Sequence, residues 1–373
     1  METDLPRDPD ALRAAIPALS SATYLNTGAT GPASEPVIRA TTDFVRAHEA
    51  EAPATGDGYA RAFSTFDEVR ATVADFLGAD EEEVALTNST SDGISRIAAS
   101  LDVGAGDVVA HTDLEHPAGR LPWWNLERKG VERRVIESEG GRFDAGDVRA
   151  AAREARLICF DSITWSHGTR LPVREYVEIA HEEGALVLVD AVQSFGQEEV
   201  DVHEWGADFV AGAGHKWLLG PWGAGMLYVA RDVADAMAPA QVGYRSVKET
   251  GADRPEFKAG APRFEVGTTN PAPYAGLARA IEVIEGIGYG AVRDRIERLT
   301  DRLKEGLGDR LLSPRAFESG LVTFAVDGDP GAVVERLAAE DIVVRSLPFP
   351  EGVRASVHAF NTEADVDALL DAL

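Results

Sequence analysis

ALVLVDAVQSFGQEEVDVHEWGADFVAGAGHKWLLGPWGAGMLYV (residues 185–229) contains two apolar runs, each leading to a chemically active side chain. The first, Ala185 to Val189, ends in Asp190. The second, Asp208 to Ala211, opens into a loop rich in glycine and tryptophan that carries Lys216. Continuous apolar runs separated by a crossover-length segment point to parallel strands covered on both faces. Parallel strands end on the same side, so Asp190 and Lys216 are expected at one edge of the sheet, where open α/β sheets bind ligands.

A carboxylate and an amine facing one crevice suit pyridoxal 5'-phosphate (PLP). The amine condenses with the aldehyde as a Schiff base, and the carboxylate keeps the pyridine nitrogen protonated so that the ring accepts electrons. An aspartate at a strand end is commonly a cap, and a single lysine is commonly a solvated charge. Here, however, lysine is scarce: only Lys129, Lys216, Lys248, Lys258 and Lys304 occur among many arginines. Arginine stays protonated and is a poor nucleophile, so a lysine kept between His215 and Trp217 indicates a need for an amine.

Asp190-Ala-Val-Gln193, Gly214-His-Lys-Trp217 and Gly220-Pro-Trp-Gly223 resemble motifs of the class V aminotransferase family, which includes cysteine desulfurases and isopenicillin N epimerase-like proteins. The resemblance extends to Tyr24–Pro32, Thr87–Ile94, Glu115–Ala118, Arg263–Thr268 and Arg354–Thr362. It implies an aspartate-aminotransferase-like α/β fold (PLP fold type I). This has a large domain with a mainly parallel seven-stranded sheet, expected over 15–262, and a smaller α+β domain over 263–373 together with 1–14. It also implies roles for single residues. Lys216 and Asp190 are the catalytic pair, and His116 stacks on the ring and relays protons. Thr90, Ser91 and His215 take the phosphate, Gln193 takes the ring hydroxyl, and Thr268 reaches the phosphate of a second subunit in a homodimer with shared sites. Arg354 grips a substrate carboxylate, with Asn26 and Trp165 also on the substrate side.

The residues support several of these roles independently. Thr90 and Ser91 precede an expected helix with Asp92-Gly93 in its first turn, and phosphate binds backbone N–H groups at such a start. A bidentate guanidinium fork suits a carboxylate. Two departures from the family stand out. Ala213 occupies a position where the family often has serine, which removes one phosphate contact. The interval Val343–Gly352 is short and has no cysteine where desulfurases carry their nucleophile. The single cysteine, Cys159, falls in the apolar run Leu157–Phe160 and is expected to be an inert packed thiol. The turn Thr164–Thr169 replaces an Asn-containing turn of the desulfurases, so Trp165 and His167 are expected to line the substrate side.

These features imply a PLP enzyme acting on an α-amino acid through proton removal at Cα by Lys216. A class V aminotransferase is the first expectation. A cysteine-independent C–S or β-lyase, or an amino-acid epimerase, shares the same first step, and a non-catalytic PLP-binding protein is the remaining alternative. No G-x-G-x-x-G follows the first strand, which argues against a nicotinamide-binding Rossmann protein. Metal ligation is not expected.

Strands are expected at Val84–Thr87, Asp107–His111, Val131–Ile136, Leu157–Asp161, Leu186–Asp190, Asp208–Ala211 and Gly225–Val229. Helices are expected at Glu35–Glu49, Arg61–Leu77, Asp92–Ser100, Val173–His181 and Pro273–Ile287. Further on, helices at 291–308 and 330–340 and after Asn361 alternate with strands near Leu321–Val326 and Val343–Arg345. The stretch Lys248–Pro262 reads as a long loop.

The net charge is −27, from 36 basic and 63 acidic residues among 373. Such a surface repels nucleic acid and anionic membrane. No apolar run reaches the roughly 18 residues of a membrane span. The acidic start METDLPRDPD lacks the basic region of a signal peptide, and a single cysteine suits a reducing cytoplasm. Acid-rich composition with arginine in place of lysine resembles proteins of high-salt cytoplasm. If the surface acids repel one another at low salt, raising salt to molar levels should raise the thermal unfolding midpoint. An unchanged or lower midpoint would contradict a halophilic adaptation.

Overall fold

The computed structural model describes residues 5–50 and 53–373. Its main sheet contains β1 (Val84–Thr87), β2 (Val108–Thr112), β3 (Glu132–Ile136), β4 (Ala155–Asp161), β5 (Leu186–Asp190), β6 (Phe209–Ala213) and β7 (Gly225–Val229). Their order across the sheet is β1-β7-β6-β5-β4-β2-β3. β7 runs antiparallel to both of its neighbours, and the other pairings are parallel. Three of these strands fall on the expected residues, and the other four are displaced by one or two positions at an end.

Alternation along each strand divides the core into two. Ile158, Phe160, Val187, Val189, Val210 and Met226 pack on one face. Leu157, Cys159, Leu188, Phe209, Ala211 and Leu227 pack on the other. The central strands are therefore apolar along nearly their whole length, whereas the edge strand β3 is exposed or half-buried up to Ile136 and carries Arg133 and Arg134. Charges on an edge discourage pairing with another chain.

Helices cover both faces. Helix Gly56–Leu77 is capped at its start by Thr55, whose side chain accepts from Gly58 N–H, and at its end by Gly78 in the left-handed conformation (φ 65°). Helix Ala272–Ile287 buries Leu277, Ala280, Ile281 and Ile284 in the first of the two cores, where Leu12 of the N-terminal helix Pro9–Ala14 also packs. Helices Pro117–Leu126 and Ala145–Ala152 were not expected from the sequence. In the first of these, Pro122 inside the helix hides the periodic signal.

A separate apolar cluster gathers Leu299, Leu303, Val322, Phe324, Val353, Val366 and Leu369. It joins helices Tyr289–Leu307, Pro330–Ala338 and Glu363–Asp371 to a sheet of β8 (Leu321–Phe324), β9 (Arg345–Pro348) and β10 (Glu351–Ser356). The sheet is antiparallel, in the order β9-β10-β8. The N-terminal segment connects the two parts. Thr23–Tyr24 pairs in parallel with Ile342–Val343, and Gly31 N–H donates to His215 O at 2.8 Å. No helix among the described residues is long and apolar enough to cross a membrane.

Glu265 fastens the segment after the long loop to β1. Its buried carboxylate pairs with Arg70 at 2.5 Å and with Arg245, and accepts Leu86 N–H at 2.9 Å. The guanidinium of Arg245 in turn lies 4.2 Å from the centre of the Phe66 ring. Removing one partner of a buried ion pair leaves uncompensated charge, which costs about 3–5 kcal/mol. Glu265→Ala should lose stability of that order in urea denaturation, with a loss below about 1 kcal/mol contradicting the network's role.

Candidate active site

The C-terminal ends of the parallel strands meet in a cavity of about 150 Å³. Asp190 is the last residue of β5, and Lys216 follows β6 by three residues. Thr90 opens the helix after β1, His116 follows β2, and Trp165 follows β4. These five line the cavity together with Ser91, Gln193, His215, Arg345 and Arg354.

The helix after β1 begins at Thr90, not at the expected Asp92. Ser89 is its cap, accepting Asp92 N–H at 3.1 Å. Thr90 and Ser91 therefore sit in the first turn, with their N–H groups at the positive end of the helix dipole. Thr90 Oγ1 is buried and finds no partner among the described residues. An unsatisfied buried hydroxyl beside a helix start fits a phosphate oxygen. His215 is on the same side. Burial and the nearby Lys216 hold its imidazole neutral, with a pKa lowered to about 4, so it offers a hydrogen bond and no charge. Ala213, buried in β6, offers no hydroxyl.

Asp190 is buried, and its Oδ1 accepts Val192 N–H at 3.0 Å. Burial raises its proton affinity, and the neighbouring Lys216 opposes that rise. A buried carboxylate of this kind suits a protonated ring nitrogen as counter-charge. Burial lowers the Lys216 pKa to about 8, against the pull of Asp190. The amine thus spends a useful share of its time unprotonated near neutral pH.

His116 caps helix Pro117–Leu126. Its Nδ1 accepts Ala118 N–H at 3.2 Å, which leaves the ring proton on Nε2. Burial, reinforced by Lys216, Arg345 and Arg354, lowers its pKa to about 4. The ring meets Trp165 edge-on, with centroids 5.4 Å apart. Gln193 Oε1 takes the Trp217 indole N–H at 2.7 Å, and its Nε2 donates to Gly28 O at 3.2 Å. One amide hydrogen therefore remains for a ring oxygen.

Arg354, in β10, is 1% exposed. Its Nη1 donates to Trp165 O at 2.7 Å, while Nε and Nη2 have no partner among the described residues. Burial, with Arg345 nearby, lowers its pKa to about 9. A buried guanidinium with two idle nitrogens calls for an anion. Gly28 lets the backbone come close to this wall: a Cβ there would lie 2.6 Å from Leu321 Cδ2, 2.8 Å from Ser356 Oγ and 3.2 Å from Arg354 Nη2.

The order of residues alone gave no prominence to Arg345. It pairs with Arg354 across β9 and β10, and its guanidinium lies 5.9 Å from the centre of the Trp165 ring. The available signal was the hairpin register, which places both arginines on one face. Two expected residues lie elsewhere, and Thr268, expected at the phosphate of a second subunit, lies outside its own chain's cavity. Asn26 lies outside the cavity lining, beside the small sheet, where its backbone bridges to Ser356. Thr268 is exposed and exchanges a 2.7 Å hydrogen bond with Tyr244 in a separate surface pocket. His167 turns away from the cavity because its ring packs against Gly141 and Phe349 and bonds Ser166 at 3.0 Å.

Residues 23–369 match the family described as Aminotransferase class-V. The chain is 34% identical to a probable cysteine desulfurase of Methanothermobacter thermautotrophicus, over 97% of this chain and 96% of the relative. The apo structure of a cysteine desulfurase from Thermococcus onnurineus NA1 superposes with a TM-score of 0.91 at 31% identity, covering 99% of this chain and 98% of the other. The cystine C-S lyase C-DES, solved with its product cysteine persulfide, gives a TM-score of 0.91 at 26% identity, covering 95% and 98%. A further C-DES structure holds glycine covalently linked to its PLP cofactor. With these likenesses, the matched motifs and the fold, the chain belongs to the class V aminotransferase family of PLP-dependent enzymes.

Proposed function

We propose that this protein is a PLP-dependent carbon–sulfur lyase. In this reading it eliminates sulfur from the β-carbon of a cysteine-derived α-amino acid without a cysteine nucleophile of its own. The carrying observation is where cysteine is and is not. Cys159, the chain's single cysteine, lies in β4 within the second core, and burial pushes its thiol pKa well up. A thiol held protonated in a packed core cannot attack a substrate sulfur. Between the two arginine-bearing strands, Pro348 pairs directly with Glu351, so the connection is a tight hairpin with no loop to bring a nucleophile over the cavity. The named relatives include cysteine desulfurases and a cystine C-S lyase, and the second chemistry suits this hairpin. The first expectation, an aminotransferase, shares the initial proton removal but draws nothing from the sulfur chemistry of those relatives.

Bound PLP supplies an aldehyde that condenses with the substrate amine and a ring that accepts the electrons left at Cα. The chain's own groups then have assignable tasks. Arg354 binds the α-carboxylate through its idle Nε and Nη2 and so orients the Cα–H bond toward Lys216. Lys216 Nζ takes the Cα proton. The Cβ–S bond breaks with its electron pair on sulfur, which leaves as a thiolate or persulfide anion. Water then releases the three-carbon remainder as pyruvate and ammonia. Asp190 balances the positive charge at the ring nitrogen throughout. His116, neutral, covers the ring face and donates through Nε2.

Arg345 bears on the substrate class. Like charges at a directly opposed cross-strand pair repel, and Arg345 makes no ion pair among the described residues. A substrate with a carboxylate at each end, as in cystine-type disulfides, would relieve both guanidinium groups. Thr268, exposed outside its own chain's cavity, is available to a second copy in a homodimer.

The deciding experiment incubates holoenzyme with cystine, cysteine, alanine and an oxo acid, and follows pyruvate, ammonia and sulfide. Pyruvate and ammonia from cystine are expected, and Cys159→Ser should leave that rate unchanged. Amino transfer to the oxo acid with no pyruvate and ammonia formed from cystine alone, or abolition of sulfur release in Cys159→Ser, would overturn the reading. Arg354→Lys keeps charge but loses the planar fork. A charge-assisted hydrogen bond is worth roughly 1.5–3 kcal/mol, so kcat/KM should fall by about 10- to 100-fold. An unchanged kcat/KM would remove Arg354 from the substrate site.

A further inference from the structure

Asp190 is not the only carboxylate buried at this edge. Asp161 ends β4 directly beside it, the two being paired at the ends of adjacent strands. Glu115 immediately precedes His116, and both Glu115 and Asp161 are less than 5% exposed. Glu115 Oε1 accepts the Thr112 hydroxyl at 2.6 Å and the backbone N–H of Asp161 at 3.0 Å. The bond to the Asp161 backbone sets the two buried acids beside each other at this edge. Glu115 Oε2 and Asp161 Oδ2 have no partner among the described residues. The nearby helix leaves room for this arrangement: a Cβ on Gly119 would collide with Glu115 Oε2.

We propose that Glu115 and Asp161 share one proton, and that this acid pair is a clasp holding the His116 loop against the sheet edge beside Asp190. Two ionised carboxylates buried beside each other at a dry edge would repel. A shared proton converts that repulsion into a short, charge-assisted O–H···O hydrogen bond. The titratable groups facing the pair are Asp190 from β5, Lys216 from the loop after β6 and the Cys159 thiol from β4 itself. Asp190 adds negative charge and favours the shared proton, whereas Lys216 opposes it at Asp161. Neither Glu115 nor Asp161 lines the cavity, so both are positioning residues. Thr112 and Asp161 lie on neighbouring elements, and Glu115 joins both to the backbone that sets the His116 ring.

The clasp has a pH signature. Burial raises the proton affinity of both acids above that in the unfolded chain, Glu115 to about 8. Raised acids contribute stability that is fully present below the unfolded pKa and is lost as pH rises through the folded one. The clasp therefore holds at neutral pH and weakens in alkali.

Infrared spectra of the holoenzyme at neutral pH should show the carbonyl stretch of a protonated carboxylic acid that shifts in D2O. Glu115→Gln and Asp161→Asn should each lose it. In Asp161→Asn the introduced amide would donate to Glu115 without a titrating proton. Between about pH 7 and about pH 10, the melting temperature of Asp161→Asn should therefore fall by at least about 2 °C less than that of the unaltered enzyme. A neutral-pH spectrum without such a band, a band that persists in both variants, or equal alkaline losses would overturn the clasp. If one variant fails to fold, the other reads the same band. Neither measurement needs turnover, so its failure is separate from failure of the lyase reaction.

Discussion

Ionisable groups at the ends of parallel strands must be desolvated together, and the rest of this structure is arranged around that constraint. β4, β5 and β6 are buried along most of their length, so the core can be dry on both faces. Their ends are therefore dry as well. Asp161, Asp190 and Lys216 come within electrostatic reach of one another with little water between them. Each charge there is expensive unless another answers it. Lys216 answers Asp190, and Arg354 has only one carbonyl as a partner among the described residues. Arg354 and Thr90, both left with unsatisfied atoms, border the cavity.

Much of this was legible in the order of residues. Asp190 and Lys216 could be placed on one edge because the apolar runs before them have the length and continuity of buried parallel strands. Thr90, His116, Gln193, His215, Trp165 and Arg354 came through motifs and are brought to the same cavity. The residues that escaped did so for identifiable reasons. Arg345 looks like any surface arginine until the register of β9 against β10 is known. Glu115 and Asp161 look like turn residues, because burial of a strand end is set by what packs over it. The helix Pro117–Leu126 was hidden by Pro122. His167 looked equivalent to Trp165 in the turn, yet its ring packs against Gly141 and Phe349 while Trp165 meets His116.

The hairpin between Arg345 and Arg354 shows how a small change in connection redirects a shared framework. A longer excursion at this point would reach over the cavity. The tight turn here keeps Phe349 at its tip, 59% exposed and in contact with His167. It also fixes the two guanidinium groups at the spacing of a cross-strand pair. Selectivity for a doubly charged molecule would then reside in backbone register, which is harder to alter by single substitutions than a loop side chain.

The parallel pairing of Thr23–Tyr24 with Ile342–Val343 bears on how the enzyme matures. A strand made early in synthesis has no partner until a segment more than three hundred residues later emerges from the ribosome. Gly28, which borders Arg354, waits with it. The central sheet and its second core, which draws on residues 85–264, can form earlier from contacts closer in sequence. A nascent chain can thus present Lys216 and Asp190 on a folded sheet before the wall that carries Arg345 and Arg354 exists. The cavity is complete only once that wall has been made.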